Sequence, residues 1–159
     1  MSPEIALRHY WLLFVAVTCI NAAIWWRRGR KEIARNPALE PGYRRLIAWF
    51  LIIGNFPWLM VGAKRELPAT YIPLSSVEFL HVFEAVIVIY WIAGCYWLFL
   101  GRGAEDLAAH PGLLRGDPRN PKTIRIQYLI IIGSLLTIVA LQYASGGKDP
   151  WEPVARLFF

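Results

Sequence analysis

Residues 79–101 decide the fold, and they read FLHVFEAVIVIYWIAGCYWLFLG. About 20 mainly apolar residues form a helix long enough to cross the hydrocarbon core of a membrane. The stretch lacks the strict alternation of apolar and polar residues that marks a membrane β-strand. It therefore predicts a transmembrane helix, and this helix carries two ionisable side chains, His81 and Glu84.

Three other stretches match this one in length and apolar character, and residues 10–26, 46–63 and 126–147 contain no charged residue. Ser75 and Glu78 have the spacing of a capping box, and Asn120 precedes a proline suited to a first helical position. These signals start the third and fourth helices near residues 76 and 121. We predict one all-α, polytopic transmembrane domain over residues 1–159, a bundle of four helices at about 5–26, 45–63, 76–101 and 121–145.

The composition excludes several classes of protein. Of the 159 residues, 57% are hydrophobic and 18% are charged, whereas soluble domains hold about 45–50% apolar and about 25% charged residues. Such an apolar, aromatic-rich chain fits neither a soluble domain nor a disordered segment. Its two cysteines are too few for a disulfide scaffold or a four-thiolate zinc site.

The distribution of cations predicts the orientation of the helices. Of the 17 Lys and Arg residues, 12 lie in residues 27–45 and 102–125. Connections rich in Lys and Arg stay on the cytoplasmic side, so we expect a multi-pass protein of the inner (cytoplasmic) membrane with both termini outside. The net charge of +6 is then a topology signal, and no nucleic-acid partner is expected. In an alternative role, residues 27–31 bind the headgroups of anionic membrane lipids.

The longest connection, residues 102–122, contains one further helix signal. Residues 104–110 predict a short amphipathic surface helix that ends at Pro111, and we interpret His110 as a solvated loop residue. We expect Cys19 and Cys95 to be small buried residues. The tryptophans near the helix ends indicate an interfacial aromatic belt, and the alternative is that they pack around a pigment or quinone.

One group of polar residues stands out in the third helix, because ionisable side chains inside a membrane are energetically unfavourable. Glu78, His81 and Glu84 follow at steps of three, which places them on one broad stripe with Glu84 about 9 Å deeper than Glu78. Glu-x-x-His is the spacing by which ferritin-like bundles ligate metals. In the simpler interpretation, Glu78 is the capping acid, His81 bonds a neighbouring helix, and Glu84 is protonated or paired.

Depth along the helices suggests companions for this stripe. Pro57 interrupts backbone hydrogen bonding in the second helix, and Asn55 lies roughly 12 Å below the outer end of that helix. Seven polar side chains are then predicted to line one outward-facing cavity: His9, Asn55, Glu78, His81, Glu84, Thr137 and Gln142. In the alternative, the amides and the hydroxyl hydrogen-bond between helices, as is common in membrane bundles.

Three functions fit these residues. The connections are too short for a catalytic domain, and the sequence shows no phosphate-binding loop or Ser-His-Asp set. This favours a small accessory or structural subunit that packs against other subunits of a larger membrane complex. As an alternative, His9 and His81 are axial ligands of haem b, or they bind a quinone together with Asn55. As a further alternative, Glu78, His81 and Glu84 bind a divalent metal or handle protons.

Overall fold

The computed structural model describes residues 9–114, 116 and 118–144, and the side chains at positions 135, 136 and 138–144 lie outside that description. All regular structure in this part of the chain is helical. The helices are α1 (Tyr10–Arg35), α2 (Glu40–Glu66), α3 (Ser76–Cys95), α4 (Gly103–Ala109) and α5 (Pro121–Ala144). A 3-10 turn, Pro37–Leu39, precedes α2, and a π-helical turn, Tyr96–Leu100, continues α3.

Three spans are long and apolar enough to cross a membrane: Tyr10–Arg35, Pro37–Glu66 and Ser76–Leu100. The described part of the chain is therefore all-helical and has helices of the kind that cross membranes, as the composition predicts. Helix α5 has 24 residues and begins where the fourth helix is predicted.

The first two helices extend further into the basic connection than the hydropathy pattern predicts. Helix α1 continues past residue 26 to Arg35, and α2 begins at Glu40 rather than near residue 45. Apolar residues mark only the membrane-embedded part, whereas ion pairs one turn apart support a helix in water. Arg35 pairs with Glu32 at 3.0 Å and Arg44 with Glu40 at 2.6 Å. Only residues 36–39 then connect the two helices, and all seven cations of residues 27–45 lie on the helices themselves.

The capping signals in the sequence are confirmed. The Ser75 hydroxyl accepts the backbone N–H of Glu78 at 3.2 Å, and the Glu78 carboxylate accepts the backbone N–H of Ser75 at 2.8 Å. At the start of α5, the Asn120 side chain accepts the N–H of Lys122 at 2.9 Å. The predicted surface helix of the long connection also forms, as α4. Local hydrogen bonds thus define where α3 and α5 begin.

Helices α1 and α2 pack closely as an antiparallel hairpin. The rings of Phe14 and Trp58 stack with centroids 3.9 Å apart. Gly62 lies under the ring of Trp11, where a Cβ atom would come within 2.7 Å of the indole. In the most apolar stretch of the span Pro37–Glu66, 33% of the residues are buried. In the most apolar stretch of Ser76–Leu100, only 6% are buried. The hairpin is therefore the packed unit, and α3 lies more loosely beside it.

A buried latch joins α2 to the segment after α4 at the basic end of the molecule. The fully buried Tyr43 donates its hydroxyl to the carbonyl of Pro111 at 2.6 Å. The ring of His110 lies edge-on to Tyr43, with centroids 4.9 Å apart, and its Nδ1 is 2.6 Å from the carbonyl oxygen of Asp106. Leu113 fills the same core. We call Tyr43, His110 and Pro111 the latch.

Arg125 of α5 holds the ends of three helices together. In the π turn the N–H of Gly101 reaches back five residues to the carbonyl of Tyr96, at 2.8 Å. The last carbonyls of a helix lack partners within it, and Arg125 Nε donates to the carbonyl of Leu98 at 2.9 Å. The same guanidinium pairs with Glu105 of α4 at 2.7 Å. This one side chain therefore connects α3, α4 and α5.

Candidate functional site

The predicted polar site begins at the first turn of α3, which is fixed from two sides. The carboxylate of Glu78 is engaged by the backbone N–H of Ser75. The Lys64 ammonium of α2 donates to the carbonyl of Ile72 at 3.5 Å and to that of Leu74. Glu78 therefore serves as the capping acid of α3, and Lys64 ties the start of α3 to the end of α2.

One turn deeper, His81 and Glu84 form a pair on α3. His81 Nδ1 lies 3.5 Å from Glu84 Oε2. This is a long contact, at the edge of hydrogen-bonding range. The side chain of His81 is 71% exposed and that of Glu84 is 36% exposed. The pair therefore reaches beyond the packed part of the protein, within an apolar helix.

His9 has a different partner, which the sequence reasoning missed. Its Nδ1 lies 3.2 Å from Oε1 of Glu66, the last residue of α2. No local spacing links two residues so far apart in the chain. His9 immediately precedes α1 and Glu66 is the last residue of α2, so both lie at the end of the hairpin opposite the connection at residues 36–39. This contact joins the start of α1 to the end of α2.

Asn55 lies in the protein interior rather than against lipid. Its side chain is only 9% exposed, and its Oδ1 has no hydrogen-bond partner among the described residues. Leaving a buried acceptor unpaired costs about 1–3 kcal/mol. Asn55 is therefore buried among the described helices, and its side-chain oxygen is one of the polar atoms that their packing leaves without a partner.

Thr137, another residue of the predicted cavity, bonds within its own helix rather than to His81 or Glu84. The hydroxyl of Thr137 donates to the carbonyl of Gly133 one turn back, at 2.8 Å. The side chain of Gln142 lies outside the described part of the chain. Among the seven side chains predicted to line one cavity, the contacts of the described residues join only His81 to Glu84.

The geometry has a direct bearing on the cofactor hypotheses. Among the described residues, no three His, Cys, Asp or Glu side chains gather as metal ligands. Each histidine proposed as a haem ligand lies beside its own glutamate, His9 beside Glu66 and His81 beside Glu84. The haem, quinone and metal hypotheses stay predictions, and no contact in the described residues favours them.

Two smaller expectations are wrong. His110 is not a solvated loop residue, because the latch buries it to 8% exposure. Its burial depends on Gly42, which is remote in sequence and leaves room for the ring. Cys19 is exposed rather than buried, and Cys95 is half-buried. Cys19 lies on the side of α1 that α2 does not cover, and a hydropathy pattern cannot distinguish the two sides of an apolar helix.

Comparison with models of protein families, with curated proteins and with solved structures gives no match. Function is therefore inferred from the residues themselves. The most informative feature is a His–Glu pair on an apolar helix of which the other described residues bury only 6% over its most apolar stretch.

Proposed function

We propose that this protein is a small accessory subunit of a larger membrane complex, which it joins through the exposed face of α3. The single observation that carries the proposal is the placement of Glu84 and His81 on that helix. The proposal assigns no catalytic step to the chain. The partner is a transmembrane helix of another subunit that offers Glu84 a cationic or hydrogen-bonding group.

The exposed face of α3 has the pattern of a helix-packing surface. His81, Ala85, Val88 and Ile92 are all exposed, and steps of three and four residues place them along one side of a helix. Val88 and Ile92 are 55% and 65% exposed. The opposite side of α3 contacts the hairpin through aromatic rings. The ring centroid of Phe83 lies 6.4 Å from that of Trp58, for example. We call the four exposed residues the α3 stripe.

Electrostatics favours a protein partner over lipid beside this stripe. Glu84 lies about 12 Å along α3 from Ser76, at a rise of about 1.5 Å per residue. At that depth a half-exposed carboxylate facing acyl chains has a high desolvation free energy. His81 supplies one contact, at 3.5 Å. A polar or cationic group on a partner helix would supply the second and shield both side chains from lipid.

The topology of the subunit completes the proposal. We propose that α5 is a fourth transmembrane helix and that both termini lie outside the inner membrane, because the cations concentrate at the adjoining ends of α1 and α2 and around α4. Reporter fusions at positions 30 and 115 should then read cytoplasmic, and one at position 148 external. A cytoplasmic signal at position 148 would contradict the four-helix topology. Positions 115 and 148 lie outside the described residues.

The test of the subunit proposal is purification of the tagged full chain from its native membranes in a mild detergent. Each bound protein is quantified by mass spectrometry relative to this chain. We expect a partner at a fixed ratio, and we expect Glu84→Gln to lower that ratio at least about fivefold, as for loss of roughly 1 kcal/mol of charge-assisted bonding. Glu66→Gln, which removes a carboxylate at the water-exposed end of α2, is the matched control.

A steric variant tests the stripe independently of charge. Val88→Trp places a large side chain on the proposed interface, and Ile126→Trp does the same on α5 at similar exposure, 55% against 56%. Loss of the partner with Val88→Trp alone supports the proposal. A wild-type chain that purifies without any stoichiometric partner, or equal retention by all variants, would refute it.

A further inference from the structure

A cleft at the basic end of the molecule lies between α1 and the segment that follows α4. Its volume is about 370 Å³, at the lower end of the range of about 300–1,000 Å³ in which ligand sites fall. Five residues of α1 line one wall, and four of them are Ile24, Arg27, Arg28 and Lys31; the fifth is Glu32. Their steps of three and four residues place them on one side of the helix.

The cations of this wall are free to meet a ligand. Arg27, Arg28 and Lys31 are exposed, and no ion pair joins them to a carboxylate of the described residues. Their neighbours differ, because Arg35, Arg44, Arg45 and Arg125 each pair with an acid. Glu32 is the one acid that lines the cleft, and it pairs with Arg35 at 3.0 Å. The cleft is therefore strongly positive.

The opposite wall is built by the latch. Pro111 and Gly112 line the cleft, and the bond from Tyr43 to the carbonyl of Pro111 fixes their position. Gly112 has φ +86°, in the left-handed region that favours glycine, and a Cβ there would lie 3.1 Å from the Cβ of Arg28. A side chain at position 112 would therefore be strained and would crowd the cations. The latch and the glycine keep the cleft open.

The cleft also has an apolar end. Ile24 lies about 10 Å along α1 from Lys31, at a rise of about 1.5 Å per residue. Trp25 and Trp26 lie between Ile24 and the cations, and tryptophans of membrane proteins concentrate at the headgroup level. The side chains that line the cleft thus change from apolar to cationic over the depth of one membrane interface. That polarity matches a phospholipid, whose acyl chains and phosphate are separated in the same way.

We infer that this cleft binds the phosphodiester headgroup of an anionic phospholipid, with Arg27, Arg28 and Lys31 on the phosphate and Ile24 on the adjoining acyl chain. Basic sites beside transmembrane helices are suited to such headgroups. A second cleft shows the contrast, since it is lined by Arg30 together with the acid Glu40. The inference stands independently of the partner of α3.

The experiment measures phospholipid retained by the purified full chain in native mass spectrometry, using phosphatidylglycerol and phosphatidylcholine as the two probes. We expect one phosphatidylglycerol to be retained in preference to phosphatidylcholine. The double variant Arg28→Gln with Lys31→Gln should weaken its binding about 10- to 30-fold, as for two lost headgroup contacts. The control double variant, Arg30→Gln with Arg44→Gln, removes two positive charges at the same end of the molecule but outside the cleft. It should change lipid binding less than about twofold.

Further arms identify the source of the phosphate and guard against misfolding. Inorganic phosphate in millimolar excess should not displace the lipid, whereas efficient displacement would overturn the lipid assignment in favour of a soluble anion. Arg28→Lys with Lys31→Arg keeps both positive charges and should retain most of the lipid binding of the wild type. This variant tests the site by itself if the glutamine double variant fails to fold. Equal loss in the two glutamine double variants, or no preference for phosphatidylglycerol, would overturn the proposed site.

Discussion

Replacing Gly42 by alanine should break the latch at the basic end. A Cβ at position 42 would lie 1.9 Å from Nε2 of His110, about 1.5 Å inside an ordinary contact of about 3.5 Å. The ring cannot move slightly to make room, because it is buried between Tyr43 and the carbonyl of Asp106. The added methyl group must therefore expel the ring or separate α2 from α4.

The expected loss follows from the contacts that the ring makes. Its hydrogen bond to Asp106 contributes about 0.5–1.5 kcal/mol, and its edge-on contact with Tyr43 contributes a further 0.5–1.5 kcal/mol or so. Alanine has a higher helix propensity than glycine, and this offsets up to about 1 kcal/mol of the loss. We expect Gly42→Ala to lower the free energy of unfolding by about 1–2 kcal/mol, measured by tryptophan fluorescence during titration with a denaturing detergent.

A matched glycine and a double-mutant cycle make the result specific. Gly133 lies in the middle of α5, and a Cβ there would meet nothing within 4 Å, so Gly133→Ala should leave stability unchanged or raise it. In a His110→Ala background, Gly42→Ala should cost almost nothing, because the overlapping ring is gone. The steric explanation is incorrect if Gly42→Ala and Gly133→Ala change the free energy of unfolding equally. It is also incorrect if Gly42→Ala costs as much in the His110→Ala background as in the wild type.

Three further predictions concern the polar groups of the core and the basic end. Tyr43→Phe should lower the unfolding free energy by about 0.5–1.5 kcal/mol, because the carbonyl of the half-buried Pro111 loses its donor. The pKa of Glu105 is held below its ordinary value, first by a hydrogen bond from its own backbone amide and then by Arg125. Its stabilisation is therefore present above the ordinary carboxyl pKa and lost as pH falls through the lowered one. Melting curves at neutral and acid pH should show this loss, and Glu105→Gln should diminish it. Asn55→Leu should unfold no more easily than wild type, since it removes an unpaired buried oxygen.

Local signals in the sequence predicted the starts of α3 and α5. The Ser75–Glu78 capping box and the Asn120–Pro121 start depend on residues within one turn of each other. The end of α1 and the start of α2 were harder to predict, because the cations between the two apolar stretches form helix-stabilising pairs with nearby acids. Helical spacing likewise placed His81 and Glu84 on one stripe of α3, where their side chains lie 3.5 Å apart.

The tertiary contacts could not be predicted from the sequence. The latch joins Tyr43 to Pro111, 68 residues later, and depends on a glycine at position 42 that has no local signature. His9 and Glu66 are brought together by the pairing of α1 with α2. Depth estimates placed polar residues at similar levels in the membrane. They did not indicate which side of each helix faces a neighbour, and this is why the predicted seven-residue cavity does not describe the observed contacts.

The two attachments of α3 have a consequence for how a partner would bind. Lys64 holds the backbone just before the helix, and Arg125 holds the carbonyl of Leu98 at its far end. The α3 stripe between them is thus ordered before any partner arrives. Association then loses little conformational entropy from this side. Docking is closer to the meeting of two rigid surfaces than to coupled folding and binding, and the lifetime of the complex would depend chiefly on the shape and polarity that the partner presents to Glu84.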